Sequence, residues 1–145
     1  FESCRACHIE KYMYYSTQIN IHIELIRGLL CTALEGGSNY WYTNVEPASY
    51  PENKSLKDYM DNGSMQGSKY WHWSQLIPTT GGSVKITTVD NEEYILDDSS
   101  IKTGIHLLSS KYSRTHFMDF ISENDDADTG DVFLQLCLFK ELVYA

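Results

Sequence analysis

From Ile19 to Leu34 apolar side chains recur every three or four residues, and the pattern stops at Glu35-Gly36-Gly37. The positions are Ile19, Ile23, Ile26, Leu30 and Leu34, with Leu25 and Leu29 beside them. This spacing predicts an amphipathic helix, although alternation within Tyr15–Ile23 could begin it as a strand. Ser16 and Thr17 are candidate caps for the helix. The glycine pair predicts its end, through the left-handed conformation that glycine adopts freely at a helix C-terminus. "NYWYTNV", Asn39 to Val45, then reads as an aromatic-rich strand.

The remaining punctuation supports a mixed fold. Pro47 to Ser68 holds two prolines and two glycines among small polar residues, a long excursion with one helical turn at Leu56 to Met60. "KYWHWSQLI", Lys69 to Ile77, reads as a strand closed by the turn "PTTGG". "SVKITTVD" and "EEYILDD" around Asn91 predict a hairpin with Val84, Ile86, Ile95 and Leu96 as its apolar surface. A helix capped by Asp98 or Ser99 runs to about Tyr112, and another spans about Arg114 to Ser122. A last helix, about Thr129 to Leu142, carries Val132, Phe133, Leu136, Phe139 and Val143 on its apolar surface and takes Asp126 or Asp128 as its cap. The expected architecture is α+β: a small antiparallel sheet packed with an N-terminal helix and a helical C-terminal third.

At 145 residues, 42% of them hydrophobic, the chain suits one domain with a real core. Met13 precedes "YYSTQINIHIEL" as a natural start. Residues 1–12 are therefore expected to be a disordered or non-native extension, and 13–145 a single α+β domain. With 20 acidic and 11 basic residues, the net charge of −9 opposes binding to a phosphate backbone. No apolar run reaches the roughly 20 residues of a membrane helix. Neither nucleic acid nor membrane is an expected partner.

Motifs for chemistry are sparse. "CRACH", Cys4 to His8, matches the C-x-x-C-H pattern of covalent haem attachment. Met60, Met65 and Met118 lack context for the second axial ligand, and the motif precedes Met13. "ENDDADTGD" fails as a calcium loop, since a frame with Gly130 at position 6 puts Ala127 at 3 and Leu136 at 12. The five histidines form no H-x-x-x-H pair, and no G-x-S-x-G elbow occurs. No catalytic residue, metal or cofactor is expected.

The remaining candidate is a ligand site. Gly36, Gly37, Ser38 and Asn39 would supply a polar loop, and Tyr40, Trp41, Tyr42, Trp71 and Trp73 ring faces. As a strand, "YWHW" would set Trp71 and Trp73 on one face. Pairing with "NYWY" would then leave an aromatic patch exposed, the usual mark of a ligand or partner. The competing reading is a helix stop followed by a core strand.

"CTALEGGSNYWY" and "ENDDADTGDVFLQLCLFKELVYA", with "SIKTGIHLLSSKYSRTHFMDFI" more loosely, resemble small uncharacterised proteins encoded by bacteriophages and prophages. Members of that group carry glycine where Lys140 and Ala145 stand here. The resemblance implies an accessory phage protein in the host bacterial cytoplasm and transfers no site residues. The expected function is non-enzymatic binding of a small aromatic or nucleotide-like molecule, or of a host protein. Alternatives are an acidic, DNA-mimicking inhibitor of a basic host defence protein and a monohaem electron carrier built on "CRACH".

Overall fold

The centre of the molecule is a helix buried on all sides. In the computed structural model, which describes residues 13–60 and 71–145, α6 (Ala127–Phe139) is buried at every position from Thr129 to Cys137. A helix buried around its whole circumference needs neighbours around its whole circumference, apolar ones for its apolar side chains and hydrogen-bond partners for Asp131 and Gln135. They are α1 (Ile23–Thr32) with the π-helical turn Ala33–Gly37 that prolongs it, α4 (Asp98–Lys111), α5 (His116–Ile121) and strand β3 (Glu93–Leu96). Leu29 and Leu30 of α1, Leu108 of α4, Phe120 of α5 and Phe133, Leu134 and Leu136 of α6 meet in one core.

The sheet is three-stranded and antiparallel, in the order β1 (Tyr42–Ser49), β2 (Ser83–Thr88), β3. Register Val45↔Ile86 and Ile86↔Tyr94 fixes which side faces inward. Val84, Ile86 and Leu96 are buried, while Lys85 on the other face bridges Glu46 at 2.7 Å and Glu93 at 3.6 Å. The α+β architecture and the hairpin agree with the sequence pattern, with Asn91 in the left-handed region at φ 61° in the connection. Ile95 does not belong to the apolar surface. It shares the outer face with Lys85 and is 47% exposed.

Several helix boundaries differ from expectation, each for a physical reason. Residues 13–22 carry no regular structure, and the cap of α1 is His22 rather than Ser16 or Thr17. Its Nδ1 accepts the Glu24 backbone N–H at 3.1 Å. The segment read as strand Lys69–Ile77 contains helix α3 (Trp73–Thr79) instead; Lys69 and Tyr70 lie outside the described residues. His72 starts α3 through a reciprocal box, with Nδ1 accepting from Ser74 N–H at 3.2 Å and His72 N–H donating to Gln75 Oε1 at 2.8 Å. A short helix, α2 (Leu56–Tyr59), lies within the predicted helical turn. Asp97 rather than Asp98 or Ser99 caps α4, accepting from Ser100 N–H at 2.9 Å. Asp126 caps α6, accepting from Thr129 N–H at 3.0 Å, and these bonds hold its carboxyl below the usual carboxylate range.

The last helix stops at Phe139, earlier than its apolar pattern suggested. Lys140 adopts φ 63° at the C-cap, and Leu142 and Val143 are exposed beyond it. The chain then returns over α6. Gln135 Oε1 accepts from the N–H groups of Val143 at 2.8 Å and Tyr144 at 2.9 Å, while its Nε2 donates to Tyr144 O at 3.0 Å. A buried amide thus satisfies the backbone of a returning tail, where a helix would have needed its own bonds.

Candidate functional site

The glycine pair does not end α1 through a left-handed residue, since Gly81 is the described glycine with positive φ. The ending is a π turn, in which Ser38 N–H donates to Ala33 O at 2.8 Å, five residues back. Glycine is required at 37 for close approach: a Cβ there would lie 2.3 Å from the Ala127 carbonyl oxygen at the start of α6. Gly36 is unconfined, with nothing within 4 Å of such a Cβ.

The turn delivers the next residues to Asp131 of α6. Ser38 Oγ at 2.8 Å, Trp41 Nε1 at 2.7 Å and Gln135 Nε2 at 3.1 Å donate to its Oδ1, and Tyr40 OH donates to Oδ2 at 2.7 Å. Asp131, Ser38, Trp41 and Gln135 are all buried. Such charge-assisted bonds are what allow a carboxylate to be buried. Partial burial, then the bond to this carboxylate, pushes the Tyr40 hydroxyl up to about 12. The Trp41 indole completes an aromatic cluster behind the network, stacked on Tyr144 at 5.4 Å and edge-on to Phe139 at 5.2 Å.

The expected site residues therefore separate into three places. Ser38, Tyr40 and Trp41 form a buckle that ties the end of α1 to α6, and Trp41, with no exposed surface, is a core residue closed to any ligand. Gly36 and Asn39 are exposed in the turn, Gly37 is half-buried against Ala127, and β1 begins only at Tyr42. Trp71 lies over α1, 4.0 Å from where a Cβ on Gly28 would be, and its buried indole N–H has no partner among the described residues. Trp71 and Trp73 do not share a strand face. β1 pairs with β2, so the exposed aromatic patch expected from a "YWHW"–"NYWY" pairing does not form.

Trp73 instead lines a cleft of about 320 Å³ between the π turn, β1 and α3. Its walls include Glu35, Tyr42, Asn44, His72 and Gln75. The His72 and Trp73 rings are 4.7 Å apart and tilted by 41°. Tyr42 is oriented by a hydroxyl bond to the Leu34 carbonyl, within the π turn. Burial, then the neighbouring Glu35 carboxylate, raises its hydroxyl above the ordinary tyrosine value. Burial and Glu35 likewise push the Cys31 thiol up to about 11, which leaves it protonated and unreactive at neutral pH. Among the described lining residues no Lys or Arg occurs.

Apart from Tyr42 and Trp73, the sequence signal missed this site because its members come from three separated stretches. A π turn is a recurrent feature of functional sites, but its one-residue shift leaves no mark in a hydrophobic pattern. A larger groove of about 650 Å³ lies between residues 19–23, α1 and α4. It is walled largely by isoleucines, and its charged pair Asp98–Lys102 is self-neutralised at 2.8 Å. Its other polar groups, Asn20, Thr79, His106 and Ser109, come with no Trp, Tyr or Phe ring.

"CRACH" lies outside the described residues. Among the described residues no group of three or more His, Cys, Asp or Glu is placed to hold a metal ion. None of their helices is long and apolar enough to cross a membrane. Comparison with family models, curated proteins and solved structures finds no match.

Proposed function

We propose that the protein is a non-enzymatic binding protein whose small-molecule ligand occupies the cleft between the π turn, β1 and α3. The observation that carries this reading is the convergence of the Tyr42, His72 and Trp73 rings with Glu35 and Asn44 on one concave surface. A few polar groups set among ring faces are the usual make-up of a small-molecule site. The cleft volume of about 320 Å³ suits a single ring or a compact head group. With Glu35 on the wall and no Lys or Arg among the described lining residues, a free base or a cation fits better than a polyphosphate. An accessory phage protein in the host cytoplasm is the setting that the sequence resemblance implies.

Native mass spectrometry of the protein purified from bacterial extract tests this, with wild type and Trp73→Ala compared before and after denaturation. The expected result is a mass excess on wild type that denaturation removes and Trp73→Ala lacks. An excess retained by Trp73→Ala would move the ligand away from this cleft. One surviving denaturation would direct attention to Cys4 and Cys7. A bare mass in both variants would turn the reading towards a protein partner.

A second reading, an acidic inhibitor of a basic host defence protein, is supported by Glu123, Asp126 and Asp128. These side chains are exposed and take part in none of the described ion pairs. Under that reading Glu123→Lys with Asp128→Lys would abolish inhibition and Trp73→Ala would not.

A further inference from the structure

We infer that the cleft binds an organic ammonium cation and that protonation of His72 releases it, an inference that rests on the cleft reading above. The first half follows from the wall. Tyr42 and Trp73 line it with aromatic rings, Glu35 carries the negative charge, and no Lys or Arg among the described lining residues opposes a cation. Ring faces attract a positive charge through their quadrupole, and quaternary ammonium groups are the ligands that exploit this most directly. Tyr42 cannot swing away without giving up its hydroxyl bond to Leu34. The π turn that holds Leu34 also carries Glu35, so ring and carboxylate are placed by one element.

The second half follows from the way α3 begins. His72 Nδ1 accepts the Ser74 backbone N–H at 3.2 Å and lies 2.9 Å from Ser74 Oγ. A ring nitrogen that accepts carries no proton, so these bonds suit the imidazole with its hydrogen on Nε2 and not the imidazolium. Protonation would turn the acceptor into a donor facing another donor. It would also place a positive charge at the positive end of a helix and beside any bound cation.

The groups facing His72 on its own element are Trp73, Ser74 and Gln75; across the cleft they are Glu35 on the π turn and Tyr42, Thr43 and Asn44 on β1. Glu35 is the charged one among these described residues. An imidazolium would compete with the ligand for it. Cation affinity therefore falls when His72 takes up a proton.

The test is isothermal titration calorimetry of the full chain with choline and with its uncharged carbon isostere, dimethylbutanol, at about pH 8 and about pH 5. At the higher pH choline is expected to bind roughly tenfold more tightly than the isostere, and Glu35→Gln and Trp73→Ala each to lose about that factor. Wild type is expected to lose a further factor of roughly ten in acid. His72→Asn keeps an effective helix cap but gives up a ring on the wall, so its test is the ratio of its choline affinities at the two pH values, expected near one against roughly ten in wild type. Equal binding of both probes would overturn the cation and leave the cleft standing. Binding of neither would overturn the ammonium ligand, while the mass measurement on Trp73→Ala judges the cleft separately. An unchanged acid loss in His72→Asn would overturn the switch.

Discussion

Replacing Asp131 by alanine tests the buckle between the end of α1 and α6. The substitution removes the shared acceptor of Ser38 Oγ, Trp41 Nε1, Tyr40 OH and Gln135 Nε2. Tyr40 is 47% exposed and can turn to water. Gln135 Nε2 keeps its bond to Tyr144 O. Ser38 and Trp41 have no exposed surface, and the indole N–H is fixed in direction by the ring's stacking on Tyr144. A buried donor left without a partner costs about 1–3 kcal/mol. Two such donors, with the lost packing of the carboxylate, put Asp131→Ala at about 3–5 kcal/mol. That corresponds to roughly 10–15 °C in Tm for a chain of this size.

Asp131→Asn separates acceptor from charge. Its amide oxygen can take the place of Oδ1 and keep three donors, while its NH2 meets the Tyr40 oxygen, which can accept. A loss of about 1–2 kcal/mol is expected, the difference between a charged and a neutral acceptor. Guanidinium unfolding followed by tryptophan fluorescence and by far-ultraviolet circular dichroism measures both variants. An Asp131→Ala loss below about 1 kcal/mol would show that the buried donors find other partners. Equal losses in the two variants would show that acceptor geometry is not what the network supplies.

Three other outcomes follow from the packing. Trp41→Ala should cost about 3–5 kcal/mol in thermal unfolding, as for any large core ring, whereas half-buried Trp73→Ala should cost far less. Lys140→Gly should stabilise the protein by about 1 kcal/mol in denaturant unfolding, because Lys140 holds φ 63° at the end of α6, where glycine meets no Cβ penalty. The third concerns alkali. The hydroxyls of Tyr40 and Tyr94 are both held up to about 12, Tyr40 by partial burial and then Asp131, and Tyr94 by its bond to Glu92. An unfolded tyrosine titrates near 10. The stability these bonds contribute is therefore complete below about pH 10 and is lost as pH rises towards 12. An ultraviolet titration of wild type against Tyr40→Phe and Tyr94→Phe, run alongside unfolding midpoints, should show each variant losing a late tyrosinate component; loss of a component near pH 10 instead would refute the bonds.

Local patterns in the sequence determined the class of the fold, the hairpin around Asn91, a first helix though not its start at Ile23, the helices beginning near residues 98, 116 and 127, and the acid cap of the last one. Each is encoded within a few neighbouring residues: a hydrophobic period, a turn residue with positive φ, a side chain that meets a backbone N–H two or three positions on. Histidine caps escaped this reading because imidazole is not among the usual capping side chains, and α3 is too short for its apolar face to declare a helical period.

Tertiary structure decided what the conspicuous "GGSNYW" stretch is for. Gly37 is glycine because the Ala127 carbonyl lies against it, and Ser38, Tyr40 and Trp41 share an acceptor 90 or more positions along the chain, at Asp131. The cleft is likewise an encounter of Glu35, Tyr42 and the start of α3, with Tyr42 and Trp73 the residues on its wall that the sequence marks as candidates. A side chain's identity shows which bonds it can make. Which groups come near enough to make them depends on the packing of distant elements, since burial forces every buried polar group to find a partner wherever the fold presents one.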